Sequence, residues 1–201
     1  MSSVKPSKEF LDALVAAERE VAENARADLI YGVRAGAPPL CAWPLTPCAI
    51  LFLDFDGVLN SEKSTEELGT RYKFFRPSVA ALNSILDKTD ARIVITSTWR
   101  EYWTLIENAQ SLEQNGVLPN RVLGKTAILG KERGLEIDAW LIDVPFPVRS
   151  FVIIDDREDM AHHRNRLVRV DPKVGLTMEQ AHRAIEILAN RWECHPPTER
   201  K

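Results

Sequence analysis

Cysteine is scarce in this chain. Its three copies, Cys41, Cys48 and Cys194, make an odd number with no Cys-x-x-Cys spacing, which argues against a disulfide framework and against a zinc cage. Long apolar runs are missing too. None approaches the ~20 residues that a membrane span requires, and the first residues lack the apolar stretch of a secretory signal, so a cytoplasmic protein with no membrane partner is the expectation. A strong charge of either sign is also absent. The formal net charge of −3 argues against a general electrostatic binder of nucleic acid, although carboxylates gathered round a cation would leave a less acidic surface elsewhere. No internal repeat or low-complexity tract is visible. What is present, 201 residues of 45% hydrophobic and 27% charged composition, suits one domain with its own core and a decorated end.

That decoration is at the start. Phe10, Leu14, Ala17, Val21 and Ala25 recur at spacings of three and four, with Ser7 placed as an N-cap, so residues 8–30 read as one amphipathic helix. Its apolar stripe needs a surface: the domain's own face is favoured, and a dimer or partner helix is the alternative. Residues 35–47 are rich in proline and cannot continue a helix. The chain divides into a helical extension over 1–36, a linker over 37–48, a main domain over 49–192 and a polar tail over 193–201.

Within the main domain strands and helices alternate. Strands are expected over 49–54, 92–96, 121–124, 150–154 and 167–170, and helices over 78–88, about 100–111, 133–142 and 178–191, with a helix or turn after Asp159. Such alternation predicts an α/β fold, a parallel sheet covered on both faces. Pro77 suits a first helical turn, ahead of the apolar face Val79, Leu82, Ile85 and Leu86. Thr177 with Gln180 forms a capping box ahead of the stripe Met178, Ala181, Ile185, Leu188 and Trp192.

Two strands end in acidic pairs. Leu51-Phe52-Leu53 runs into Asp54 and Asp56, and Gly57 then allows the chain to coil so that both carboxylates can share one side. Phe151-Val152-Ile153-Ile154 runs into Asp155 and Asp156. Four carboxylates at two strand ends repel one another unless a divalent cation lies between them. An acidic doublet alone is commonly a turn or a cap; two, each closing an apolar run, are a much rarer coincidence.

In this order the residues resemble the haloacid dehalogenase-like (HAD) phosphohydrolase superfamily, whose first motif is Asp-x-Asp-Gly after a strand and whose fourth is an acidic pair after another. The likeness spans roughly residues 49–190. Ser97, with Thr96 beside it, closes the second strand where the family places a Ser or Thr. Lys131 and Arg133 are the candidates for its basic residue. Taken with Trp99 and Arg100, the segment 133–141 and the later segment 170–176, the set is similar to the HAD domain of Swiss Army Knife RNA-repair proteins. It is similar, more distantly, to the 3′-phosphatase domain of polynucleotide kinases.

The resemblance implies a Rossmann-like HAD fold with a five-stranded parallel sheet in the order 5-4-1-2-3 and a minimal cap or none. It also implies Mg²⁺ as cofactor, with Asp54, Asp56, Asp155 and Asp156 as metal ligands, Asp56 through its backbone carbonyl. Asp54 would be the nucleophile and form an aspartyl-phosphate; Asp56 would be the general acid and then the base. Ser97, Thr96, Arg133, Lys131 and Arg100 are the phosphate-binding candidates; either Trp99 stacks on a base at the entrance with Arg100 on a second phosphate, or Trp99 is buried beside a snorkelling Arg100. The basic run from Arg157 to Arg169 reads more readily as a solvated face than as a polynucleotide track, and adjacent His162 and His163 would point apart on a helix, which argues against a histidine metal site.

Only 36 positions separate Asp56 from Arg92, and they must supply the first crossover helix, so there is no room for a large cap. An open site favours a phosphate on an RNA or DNA end. A 5′-nucleotidase or other small-molecule phosphatase is the alternative, and a non-catalytic HAD-fold binding module a further one. A two-component receiver domain also uses a phosphorylated Asp, but its acidic doublet follows the first strand, which excludes it here.

Overall fold

A computed structural model describes residue 44 and residues 46–192 other than 131. The expected helix over 8–30, most of the linker and the tail over 193–201 lie outside the described residues. Five parallel strands form one sheet in the order β3-β2-β1-β4-β5, the order expected, read from the opposite edge. They are β1 (Cys48–Leu53), β2 (Arg92–Ile95), β3 (Val122–Lys125), β4 (Val148–Asp155) and β5 (Leu167–Arg169).

β1 shows why the sheet needs cover on both faces. Its residues alternate between two apolar layers, because successive side chains leave a strand on opposite sides. Ala49, Leu51 and Leu53 join the layer made by α2 (Arg76–Lys88), α3 (Leu105–Gln114) and α5 (Met178–Ala189). Cys48, Ile50 and Phe52 join Ile137 and Trp140 of α4 (Arg133–Asp143) on the other side. Trp140 meets Phe52 edge to face at 5.5 Å between ring centres, an arrangement the aromatic quadrupole favours.

Helix ends follow local chemistry. Pro77 lies in the first turn of α2, and Val79, Leu82, Ile85 and Leu86 are its buried stripe. α5 begins in the expected capping box, Thr177 accepting from Gln180 N and Gln180 accepting from Thr177 N. Two members of the expected α5 stripe lie elsewhere: Met178 is exposed, and Trp192, beyond the helix end, packs on Phe151 in the opposite layer at 5.1 Å.

The expected helix over 100–111 is two pieces. A 3₁₀ turn covers Thr98–Glu101, and α3 starts afresh after Thr104, which forms its own capping box with Glu107. Periodicity alone gave no sign of this restart, because the apolar rows of the two pieces run together. α1 (Glu62–Leu68) is also additional. It has no apolar stripe and is defined by its ends, the Ser61 cap and Gly69 in the left-handed region at φ +65°. Among the described residues it is the one helix between the first motif and α2, and no cap domain is formed there.

Candidate active site

Strand register assembles the site. β1 pairs with β4 so that Leu53 faces Ile154, and with β2 so that Leu53 faces Ile95. The next residues, Asp54, Asp155 and the pair Thr96–Ser97, therefore emerge side by side at the carboxyl ends of three central strands, where open α/β sheets hold their ligands. Asp54 Oδ1 accepts from Phe55 N at 2.7 Å, and Asp155 Oδ1 accepts from Arg157 N at 2.9 Å.

Arg133, the first residue of α4, comes from the neighbouring layer. Its Nη1 donates to Asp54 Oδ2 at 2.6 Å and to Asp155 Oδ2 at 2.5 Å, with all three groups buried. Burial works against the guanidinium charge, but Asp54 and Asp155 more than compensate and hold the proton above the ordinary arginine range. One arginine between two carboxylates does not neutralise the centre. Asp155 is pushed up to about 7, first by burial and then by the charge of Asp54, against the pull of Arg133 and of the Arg157 N–H. Asp156 is raised by burial and Asp54 as well.

Asp54, Asp155 and Asp156 each offer a carboxylate oxygen within 4.8 Å of the others. An all-oxygen donor set of this kind suits a hard divalent cation, and the crowded negative charge is what such a cation relieves. Gly57 makes the close approach feasible: at φ +76° it lies in the left-handed region, and a Cβ there would come within 2.7 Å of Asp156 Oδ2.

The sequence model of the HAD domain in Swiss Army Knife RNA repair proteins matches residues 50–181. The chain belongs to this HAD family. Comparison with curated proteins and with solved structures gave no match. HAD domains generally use Mg²⁺, and the three-carboxylate centre fits that ion by donor chemistry and charge.

The other HAD motif residues divide by environment. Asp56 is set apart from the three-carboxylate group; its Oδ1 accepts from Asn60 Nδ2 at 2.7 Å and its Oδ2 from Trp99 Nε1 at 2.9 Å. Trp99 is buried against Phe55, Phe74 and Trp103, with its indole N–H turned to Asp56, so it is not an exposed stacking platform. Ser97 is buried and accepts from Trp99 N at 3.4 Å, capping the 3₁₀ turn. Thr96 Oγ1 has no hydrogen-bond partner among the described residues.

Arg100 differs most from the sequence reading. Instead of facing a second phosphate it is buried, its guanidinium paired with Glu136 and donating to the carbonyls of Thr96 and Ser97. Glu136 lies one turn after Arg133 on α4, so a second ion pair clamps α4 to the turn that carries Ser97. Arg133 takes the basic position among the carboxylates, and Lys131 lies outside the described residues.

Three supporting residues had no role in the sequence reading. Asn60 steadies Asp56 and also donates to Arg71 O at 2.8 Å. Glu136 stands between Leu135 and Ile137 in a segment that gives no hint of its partner Arg100. Asp159 accepts from Arg133 N at 3.2 Å and, through its carbonyl, from Gly134 N at 3.0 Å, capping α4 from a distant loop because Glu132 makes no side-chain cap. Only the proximity of Asp159 to the fourth motif could have drawn notice to it.

Proposed function

We propose that this chain is a Mg²⁺-dependent phosphohydrolase that removes a terminal phosphate from a nucleic-acid end, of the 3′-phosphatase type used in RNA repair, through an aspartyl-phosphate on Asp54. Family membership and the Asp54–Arg133–Asp155 arrangement support the reaction class. Bound Mg²⁺, held by Asp54, Asp155 and Asp156, would offset the charge of the phosphoryl oxygens so that an anionic nucleophile can approach.

Asp54 forms a bond to phosphorus as the ester P–O bond breaks, and Asp56 gives a proton to the departing alcohol oxygen. Asp56 then takes a proton from the water that attacks phosphorus, which releases inorganic phosphate and restores the Asp54 carboxylate. Arg133 fixes Asp54 Oδ2 and balances its charge. Ser97 and Thr96, with hydroxyls at the end of β2, are the donors for phosphoryl oxygens.

The substrate reading rests on the rim beside Asp56. Arg71 Nη2 stands 4.0 Å from Asp56 Oδ2 with its side chain largely exposed, and its guanidinium lies 6.0 Å from the ring of Tyr72. Tyr72 is 57% exposed and stacks on Trp103. A cation and an open aromatic face on the leaving-group side favour a nucleotidyl leaving group, whose base can stack and whose next phosphate can pair.

The test is phosphate release with Mg²⁺ from matched RNA and DNA oligonucleotides bearing a 3′ or a 5′ phosphate, with Asp54→Asn as control. Release from the 3′ end by the parent protein alone is the expected result. Turnover of mononucleotides with silence on every oligonucleotide would replace this reading by a nucleotidase, and silence on all phosphate esters would leave a binding module.

A further inference from the structure

The histidine pair expected to diverge converges. The segment Ala161–Arg166 is a 3₁₀ turn, entered through Ala161 in the left-handed region at φ +47°. It brings the rings of His162 and His163 to 4.0 Å between centres. Both Nε2 atoms face the same atom, Asp138 Oδ1 of α4, at 3.4 Å from His162 and 2.7 Å from His163. His163 is buried; the His162 side chain is 70% exposed.

We propose that Asp138, His162 and His163 form a transition-metal site, for Zn²⁺ or a similar borderline ion, separate from the hard-cation centre at Asp54. Two imidazole nitrogens and one carboxylate are a recurrent three-ligand set for zinc, with bonds of about 2.0–2.2 Å that space tetrahedral ligand atoms about 3.3 Å apart. The 3.4 Å separation of His162 Nε2 from Asp138 Oδ1 already has that size, and the 2.7 Å contact of His163 would lengthen by about 0.6 Å. Binding requires the Nε2 lone pairs, so any hydrogen now shared between His163 Nε2 and Asp138 must move to Nδ1 or to solvent. Burial already favours the neutral imidazole of His163, against the opposing pull of Asp138 and with the help of His162 and Arg166. The exposed side of His162 leaves the fourth position to water.

Such an ion would act as a staple. α4 already meets this segment at Gly134, where a Cβ would collide with the Met160 carbonyl. Asp138 lies one turn further along the helix that delivers Arg133. The site does not depend on the identity of the phosphate substrate.

The test is titration of the full chain with Co²⁺ in excess Mg²⁺, which keeps the acidic centre occupied, read by the visible absorption of tetrahedral cobalt and by thermal shift. The parent protein and Asp54→Asn should each take up one Co²⁺ with a rise in melting temperature. His162→Ala, at an exposed position, and Asp138→Asn should weaken uptake at least about tenfold. No cobalt absorption in the parent, absorption that survives His162→Ala because thiols elsewhere in the chain supply it, or loss of the signal in Asp54→Asn would each overturn the proposal.

Discussion

The indole N–H of Trp99 donates to Asp56 Oδ2 at 2.9 Å, across 43 positions of chain. With Asn60 on the other oxygen, it fixes the proposed general acid in one orientation. Trp99→Phe keeps a ring against Phe55 and Phe74 but removes the donor. Positioned acid–base groups contribute about 10²–10⁴-fold, and part of that is placement, so kcat should fall about ten- to a hundredfold with little change in KM. Steady-state kinetics on the best substrate would show it. An unchanged kcat would mean that the bond only packs the ring.

Asp54→Asn should lower phosphate release by at least about 10³-fold, because an amide does not replace the carboxylate nucleophile. The fold should survive. Asp155 loses the charge that, after burial, does most to raise its proton affinity, so the metal-free melting temperature should stay level or rise. A clear fall would show that Asp54 is needed for folding.

Stability without metal should depend on pH through Asp155. Burial, and then Asp54, push its carboxyl up to about 7 from an ordinary 3.8, so the folded protein holds this proton more tightly than the unfolded chain does. Its stabilising contribution is complete below about pH 4 and is lost as pH rises through about 7. Mg²⁺ requires the ionised carboxylate, so the rise in melting temperature on adding Mg²⁺ should grow across that window. Melting curves from about pH 4 to about pH 8, with EDTA or with Mg²⁺, would test both signs, and Asp155→Asn should flatten the slope.

Arg133→Met removes the cation from between two buried carboxylates. Leaving buried charge unpaired costs about 3–5 kcal/mol, and urea unfolding in EDTA should show a loss of that order. Mg²⁺ should recover part of it by taking over charge balance, while activity stays low because Asp54 Oδ2 has lost its fixed donor.

Gly134→Ala tests how tightly α4 meets the loop before the 3₁₀ turn. The added methyl would overlap the Met160 carbonyl, and backbone cannot yield as a side-chain tip can. Overpacking of this kind costs about 1–3 kcal/mol, measurable as a lower denaturation midpoint.

The HAD resemblance supplied the strand order, whereas the sequence by itself determined the parallel sheet and the carboxylates at its strand ends. Two signals of short range carried them: apolar runs that alternate with amphipathic helices, and carboxylates placed directly after such runs. The two-layer alternation in β1 and the capping box at Thr177 are local in the same sense, and they are found as expected. Tertiary structure alone decided the pairings. Arg133 meets the carboxylates because the first turn of α4 lies at the ends of β1 and β4, and Arg100 pairs with Glu136 of the same helix. Trp99 became a hydrogen-bond donor because the 3₁₀ turn of Thr98–Glu101 rotates it inward. His162 and His163 share Asp138 because the 3₁₀ turn Ala161–Arg166 packs against α4, where both Nε2 atoms reach one carboxylate oxygen. Partners such as these lie 22 to 79 positions apart in the chain, and no local pattern specifies contacts at that range.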